Sequence, residues 1–180
     1  MATLKKLDFV HGIATAIYEI QIPRSNSVFM CVQRTNYMND QRSVVIVDAR
    51  RFLDAWRASA KAYPYTNEQI ALQSPAEWKK DYKYPDAVDG FSRGEINPVP
   101  LARLVVNPVR GAGKPLDIGF TNGITRTIWL LANDARSFPV ECNAESAAKL
   151  YALAGHERQP VTVTELLDSY TREVWLSQRE

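Results

Sequence analysis

The stretch from residue 116 to residue 142 constrains this chain more than any other part of it. Leu116, Ile118 and Phe120 alternate with smaller or polar neighbours, which is the period of a strand. Thr121, Asn122 and Gly123 break that alternation. The apolar positions then shift to Ile124, Thr127, Ile128, Leu131 and Ala135, one face of a helix that Asn122 is placed to cap. Phe138, Val140 and Cys142 return to the period of two. Strand, glycine-containing turn, helix and strand in succession put an α/β unit at the centre of the fold.

The flanking sequence extends this unit. Residues 16–22 alternate and end at Pro23, residues 28–33 read as a second strand, and residues 44–47 as a buried one. A polar loop, residues 35–42, separates the last two. Asp48 then caps a helix with Phe52, Leu53, Trp56 and Ala60 on its apolar face, stopped at Tyr63-Pro64. Residues 101–106 suggest a short helical turn followed by a strand, and residues 107–114 a loop rich in Pro and Gly. After residue 142, Asn143 caps a helix carrying Ala147, Leu150, Tyr151 and Ala154, with Gly155 as its stop. Thr162 and Glu165 form a capping box that opens a last helix to about residue 177. The expected class is α+β or mixed α/β, a single domain over residues 1–180.

Residues 64–95 differ in character, being polar, aromatic and broken by Pro, and read as an inserted helical and loop segment over one side of the sheet. Ser74-Pro75-Ala76-Glu77 is a capping box with Pro at the first helical position. The short helix it opens carries Trp78, Tyr82 and Tyr84 among Lys79, Lys80 and Lys83. Trp78, Lys79, Tyr82, Lys83 and Arg93 are therefore candidates for a partner-binding surface. The same mixture suits base stacking and phosphate neutralisation, and some of these rings are expected to pack the segment onto the sheet.

Composition narrows the function classes. The chain has 180 residues, 46% of them apolar and 23% charged, with a net charge of +2. So small a charge gives no general affinity for nucleic acid, although Arg34, Arg42, Arg50, Arg51, Arg57 and Lys61 crowd the first third. Cys31 and Cys142 stand alone in apolar runs and read as buried reduced thiols. No apolar run approaches the ~20 residues of a membrane span, and Asp8, His11 and Glu19 interrupt the N-terminal stretch, so the expected location is the cytoplasm.

Four motifs carry little chemistry. Gly90-Phe91-Ser92-Arg93-Gly94 has the spacing of a serine-hydrolase elbow but lacks a strand before it, and reads as a turn. Gly111-Ala112-Gly113-Lys114-Pro115 has Pro where a phosphate loop needs Ser or Thr. His11 and His156 have no partner at metal-ligand spacing, and Asp81, Asp86, Asp89 and Glu95 fit no calcium loop. No metal site is assigned.

The turn itself is the candidate site. Free backbone N–H groups at a helix start favour an anion, and Thr121, Asn122 and Thr125 add short polar side chains there. Arg126 lies in the first turn, where the helix dipole disfavours a cation. Two readings stay open: Arg126 faces an anion or an acidic partner, or it closes a structural ion pair. Thr121, Asn122, Gly123, Thr125 and Arg126 are thus the expected phosphate- or partner-binding residues, and nucleotide stays open as a ligand.

These residues resemble a known signature. Gly123 and Arg126, followed by Ser137-Phe138-Pro139-Val140, are similar to the strand, Gly-x-x-Arg turn, helix and Pro-Val strand of the ParB/sulfiredoxin superfamily. More closely, residues 120–130 with Phe138-Pro139-Val140-Glu141-Cys142 and Asn97-Pro98-Val99-Pro100-Leu101-Ala102 resemble the plasmid fertility inhibition factors. The resemblance implies a protein that blocks conjugative DNA transfer by a type IV secretion system, with the coupling ATPase as the expected partner. Ile124 and Thr125 stand where sulfiredoxins carry Cys-His, which excludes sulfinic-acid reduction. The reading from another class is a nucleotide hydrolase or DNase at the Gly123–Arg126 turn, using Arg126 and a carboxylate such as Glu141 or Asp117. No catalytic residue is assigned, and a DNA-binding regulator is a third reading.

Overall fold

The chain opens, in the computed structural model that describes residues 1–23, 25–34, 41–64, 66–107, 111 and 113–177, with three antiparallel strands. These are β1 (Ala2–Val10), β2 (Ile13–Ile20) and β3 (Val28–Gln33). β1 is a strand the sequence pattern hides. It lies at a sheet edge with a bulge between Leu4 and Lys6, and it carries Lys5, Lys6 and Asp8. Edge strands tolerate and use such charges, so no apolar alternation marks them. His11 and Gly12, at φ 53° and 78°, make the tight turn into β2. β2 accordingly begins three residues before residue 16 and ends at Ile20.

β4 (Arg42–Asp48) leads into α1 (Ala49–Ala62), and the Asp48 carboxylate accepts the Arg51 N–H at 2.8 Å as the expected cap. Phe52, Trp56 and Ala60, four residues apart, are fully buried. A 3-10 turn (Asn67–Leu72) and α2 (Pro75–Trp78) follow, with the capping box of Ser74 and Glu77 formed. α2 is shorter than its sequence suggests, because the Asp81 carboxylate takes the Lys83 N–H at 2.9 Å in a turn. α3 (Tyr84–Ser92) and a second 3-10 turn (Gly94–Ile96) come next. The Gly90–Gly94 motif is therefore the end of a helix rather than a free turn, and no strand precedes it.

Then come β5 (Val99–Pro100), β6 (Ala102–Asn107), β7 (Asp117–Asn122), α4 (Ile124–Ala132), β8 (Ser137–Asn143) and α5 (Ala144–Ala154). The helical turn expected at Leu101 is absent. Its N–H donates to the Cys31 carbonyl at 2.9 Å, which keeps the chain extended where it crosses between sheets. β9 (Val161–Thr162), α6 (Val163–Leu167) and α7 (Arg172–Ser177) close the chain. The last helix is thus two helices, and Thr171 Oγ1 accepts the Val174 N–H to start the second. The loop at residues 35–40 and residues 108–110 and 112 of the Pro- and Gly-rich loop lie outside the described residues.

The strands form a four-stranded sheet, β1-β2-β3-β5, and a five-stranded mixed sheet, β7-β6-β8-β4-β9. The architecture is α+β, as expected. Phe52 and Trp56 of α1 meet Phe120 and Phe138 of the second sheet, with ring centroids 4.9–6.3 Å apart. The end of α1 and the 3-10 turn after it cover the β7 edge of that sheet. Ser59 Oγ accepts the Ile118 N–H at 2.9 Å, and Glu68 accepts those of Phe120 at 3.0 Å and the Trp56 indole at 2.9 Å. Side chains so occupy edge donors that an incoming strand would otherwise take. No helix among the described residues is long and apolar enough to cross a membrane.

Candidate functional site

The turn before α4 is built on a close backbone approach. Gly123 has φ 93° and ψ 16°, a left-handed conformation, and it occupies the cap position expected of Asn122. A Cβ on Gly123 would lie 2.7 Å from the Ala102 Cα and 2.8 Å from its Cβ. Only glycine lets the turn rest on the start of β6. Asn122 ends β7, and its Oδ1 accepts from Arg126 at 3.3 Å instead of capping α4. α4 therefore starts without a side-chain cap, and its first turn opens into a cleft.

Arg126 is spent mainly on structure. Its guanidinium donates to the Pro100 carbonyl and, at 3.1 Å, to that of Leu101, so it ties α4 to the crossing between the two sheets. Burial lowers its pKa, and the Glu141 carboxylate works against that shift. Its hydrogen-bond partners are main-chain oxygens and the Asn122 side chain rather than a carboxylate in direct contact, and Arg126 also lines the cleft. Glu141, itself buried, is held by Arg42 at 3.0 Å and Arg103 at 2.6 Å. Asp117 accepts from the Asn107 amide at 3.1 Å. Both carboxylates offered for catalysis are thus engaged in the sheet, and neither lines the cleft.

The cleft has a volume of about 410 Å3. One wall is the turn, with Thr121, Asn122, Gly123, Ile124, Thr125 and Arg126 all present. The facing wall is Lys83 and the α3 residues Asp86, Ala87 and Gly90, and Val99 and Phe120 also contribute. The two sets of candidates are so brought together through Lys83. Asp86, Ala87 and Gly90 were missed as a set, although their spacing from Lys83 is that of one helix face.

The other surface candidates divide. Trp78 is a correction: its side chain is 1% exposed and its indole N–H donates to the Ile70 carbonyl at 2.6 Å. It anchors the segment from within and offers no docking surface. Tyr82 is 82% exposed, with the Lys83 ammonium 5.3 Å from its ring centroid. Lys79 and Arg93 are exposed outside the cleft, and Arg93 pairs with Asp89 one helical turn away. Glu95 pairs with Lys5 at 2.9 Å and Lys6 at 2.8 Å, which pins the second 3-10 turn to β1. Cys31 and Cys142 are buried free thiols, and burial pushes them up to about 11 and about 12.

Comparison with known proteins bears on both walls. A model of the plasmid fertility inhibition factor family matches residues 44–155, a span that contains the whole of α3, the turn and α4. The chain is 29% identical over 150 residues to the Osa protein of Shigella flexneri, covering 83% of this chain and 74% of that one. The crystal structure of the Oncogenic Suppression Activity protein, a plasmid fertility inhibition factor solved as a gold(I) cyanide derivative, matches with a TM-score of 0.74. The sequence identity there is 25%, and 92% of this chain and 80% of that chain are covered.

Proposed function

Since this chain belongs to the plasmid fertility inhibition factor family, we propose that it blocks conjugative DNA export by binding a component of a type IV secretion system, the coupling ATPase. The observation that carries the reading is the division of labour in the cleft. The turn wall spends Arg126 on main-chain carbonyls, whereas the α3 wall presents Lys83 and Asp86 to solvent beside the protruding Tyr82. Exposed charges of both signs next to an aromatic ring form a surface for a protein partner. The protein then acts in the cytoplasm and is recruited to the secretion complex at the inner membrane. Co-purification from donor cells carrying a susceptible conjugative plasmid tests this directly: the coupling ATPase is recovered with the wild-type chain, and its absence at full inhibition refutes the assigned partner.

A second reading has one observation in its favour. The first turn of α4, without a side-chain cap, opens into the cleft near Thr121, Thr125 and Lys83, and such a helix start suits a nucleotide or DNA phosphate. In that reading the cleft turns over ATP or cuts DNA. Turnover by purified protein that is lost on replacing Lys83 or Thr125 supports this second reading over contact inhibition alone.

A further inference from the structure

A second cleft, of about 540 Å3, lies at the far end of α4, where Leu131, Asp134 and Ala135 meet the start of α1 and the residue after Gly155. We propose that it is a docking site for an acidic peptide segment bearing an apolar anchor, presented by a protein partner. The proposal rests on the binding-inhibitor reading only for the partner's biological role.

The floor of this cleft is apolar, made by Ala49, Leu53, Leu131 and Ala135. Arg50, Arg136 and His156 border it, and Met1 also lines it, with its α-ammonium donating to Gln21 Oε1 at 3.2 Å. Arg50 stands in the first turn of α1, where the helix dipole disfavours a cation, and among the described residues its side chain has no hydrogen bond or ion pair. Its neighbour Arg51 resolves the same conflict by donating to the carbonyls of Gly155 at 3.0 Å and Ala152 at 3.4 Å. Arg136 is exposed and, among the described residues, its side chain also has no partner, while its carbonyl is fixed by the Ala49 N–H at 2.9 Å. The Nε2 atom of His156 is shut off from water without a hydrogen bond, and the Glu157 carboxylate, 3.6 Å away, is too far to supply one. Of the carboxylates that line the cleft, Asp48 caps α1 and Asp134 sits exposed on the rim, and Glu157 stands exposed beside His156.

Two guanidiniums with no side-chain partner among the described residues are open to acceptors, and guanidinium recognises carboxylate in particular, whereas the His156 Nε2, shut off from water, lies out of a ligand's reach. An inorganic anion leaves the apolar floor unused, and a wholly apolar ligand leaves the donors unpaired. A peptide with acidic residues around a Leu or Phe satisfies both.

The test is an NMR titration of the 15N-labelled full chain with the N-acetylated peptide Glu-Asp-Leu-Phe-Glu, its lysine counterpart Lys-Lys-Leu-Phe-Lys, and octanoate. The acidic peptide is expected to shift the amides of Leu53, Leu131, Ala135 and His156. Binding is expected to be at least tenfold weaker for the lysine peptide, and for an Arg50→Ala/Arg136→Ala variant whose spectrum is otherwise unchanged. No shift at millimolar acidic peptide, equal binding of the lysine peptide, or full affinity in the double variant overturns the site. Octanoate binding as tightly as the acidic peptide overturns its assignment to a peptide. A wild-type chain that binds the peptide here yet fails to lower plasmid transfer contradicts the proposed function and supports this site.

Discussion

The two walls of the cleft between α3 and α4 are held by opposite means. The turn wall is determined by its own backbone: Gly123 rests on Ala102, and Arg126 crosses to the carbonyls of Pro100 and Leu101. The α3 wall is held from behind. Trp78, five residues before Lys83, is buried with its indole on the Ile70 carbonyl, Phe91 meets Trp129 of α4 at 4.4 Å between ring centroids, and the Tyr84 hydroxyl accepts from Asn133 at 3.2 Å. Its outward side chains, Lys83 and Asp86, make none of these contacts. A functional group fixed by the fold cannot be changed without disturbing the fold, whereas one carried on an anchored helix can.

The largest expected effect breaks the anchor. Trp78→Ala removes a fully buried indole and should cost about 3–5 kcal/mol of stability, read from urea unfolding. A loss below 1 kcal/mol would mean that the segment is not docked through Trp78. Next comes the turn. Gly123→Ala adds a left-handed alanine, about 1–2 kcal/mol, to a contact too close for a Cβ, about 1–3 kcal/mol, and thermal unfolding should fall accordingly. Arg126→Ala leaves two main-chain carbonyls without their donor and should cost about 1–3 kcal/mol. An unchanged melting temperature there would free Arg126 for a ligand and erase the contrast between the walls.

A smaller effect depends on pH. Burial raises the Glu68 pKa above its ordinary value of 4.5, and the N–H groups of Phe120 and Trp56 only partly offset this. The folded chain so holds that proton more tightly than the unfolded one. The resulting stability is present in full below the ordinary value and is lost as pH rises through the folded value. Between pH 4.5 and neutrality the wild type should therefore lose stability relative to Glu68→Gln, a trend measured by melting both across that range. A difference independent of pH would place the Glu68 carboxyl in ordinary solvation.

Much of the scaffold is legible in the sequence because its signals are local. Asp48, Ser74, Asn143 and Thr162 each announce a helix within three residues, and all four caps form. The turn residues are legible for the same reason. The cleft is only half so. Pro85, Gly90 and Gly94 read as breakers, which hides α3 and with it the face shared by Lys83, Asp86, Ala87 and Gly90. Trp78 among lysines reads as surface, and only its fit beneath the 3-10 turn reveals an anchor. The partners of Arg126 lie 25 and 26 residues earlier in the chain, beyond any local pattern.

The central claim is that inhibition works through the outward side chains of the α3 wall, and a mating assay on Lys83→Ala/Asp86→Ala tests it most directly. Both residues are exposed, so the double variant should keep its stability within about 0.5 kcal/mol. Donor cells expressing the wild type should transfer a susceptible conjugative plasmid poorly, and those expressing the double variant should recover most of that transfer at equal protein level and plasmid copy number. Full inhibition by a folded double variant would contradict the account and move the working surface away from this cleft.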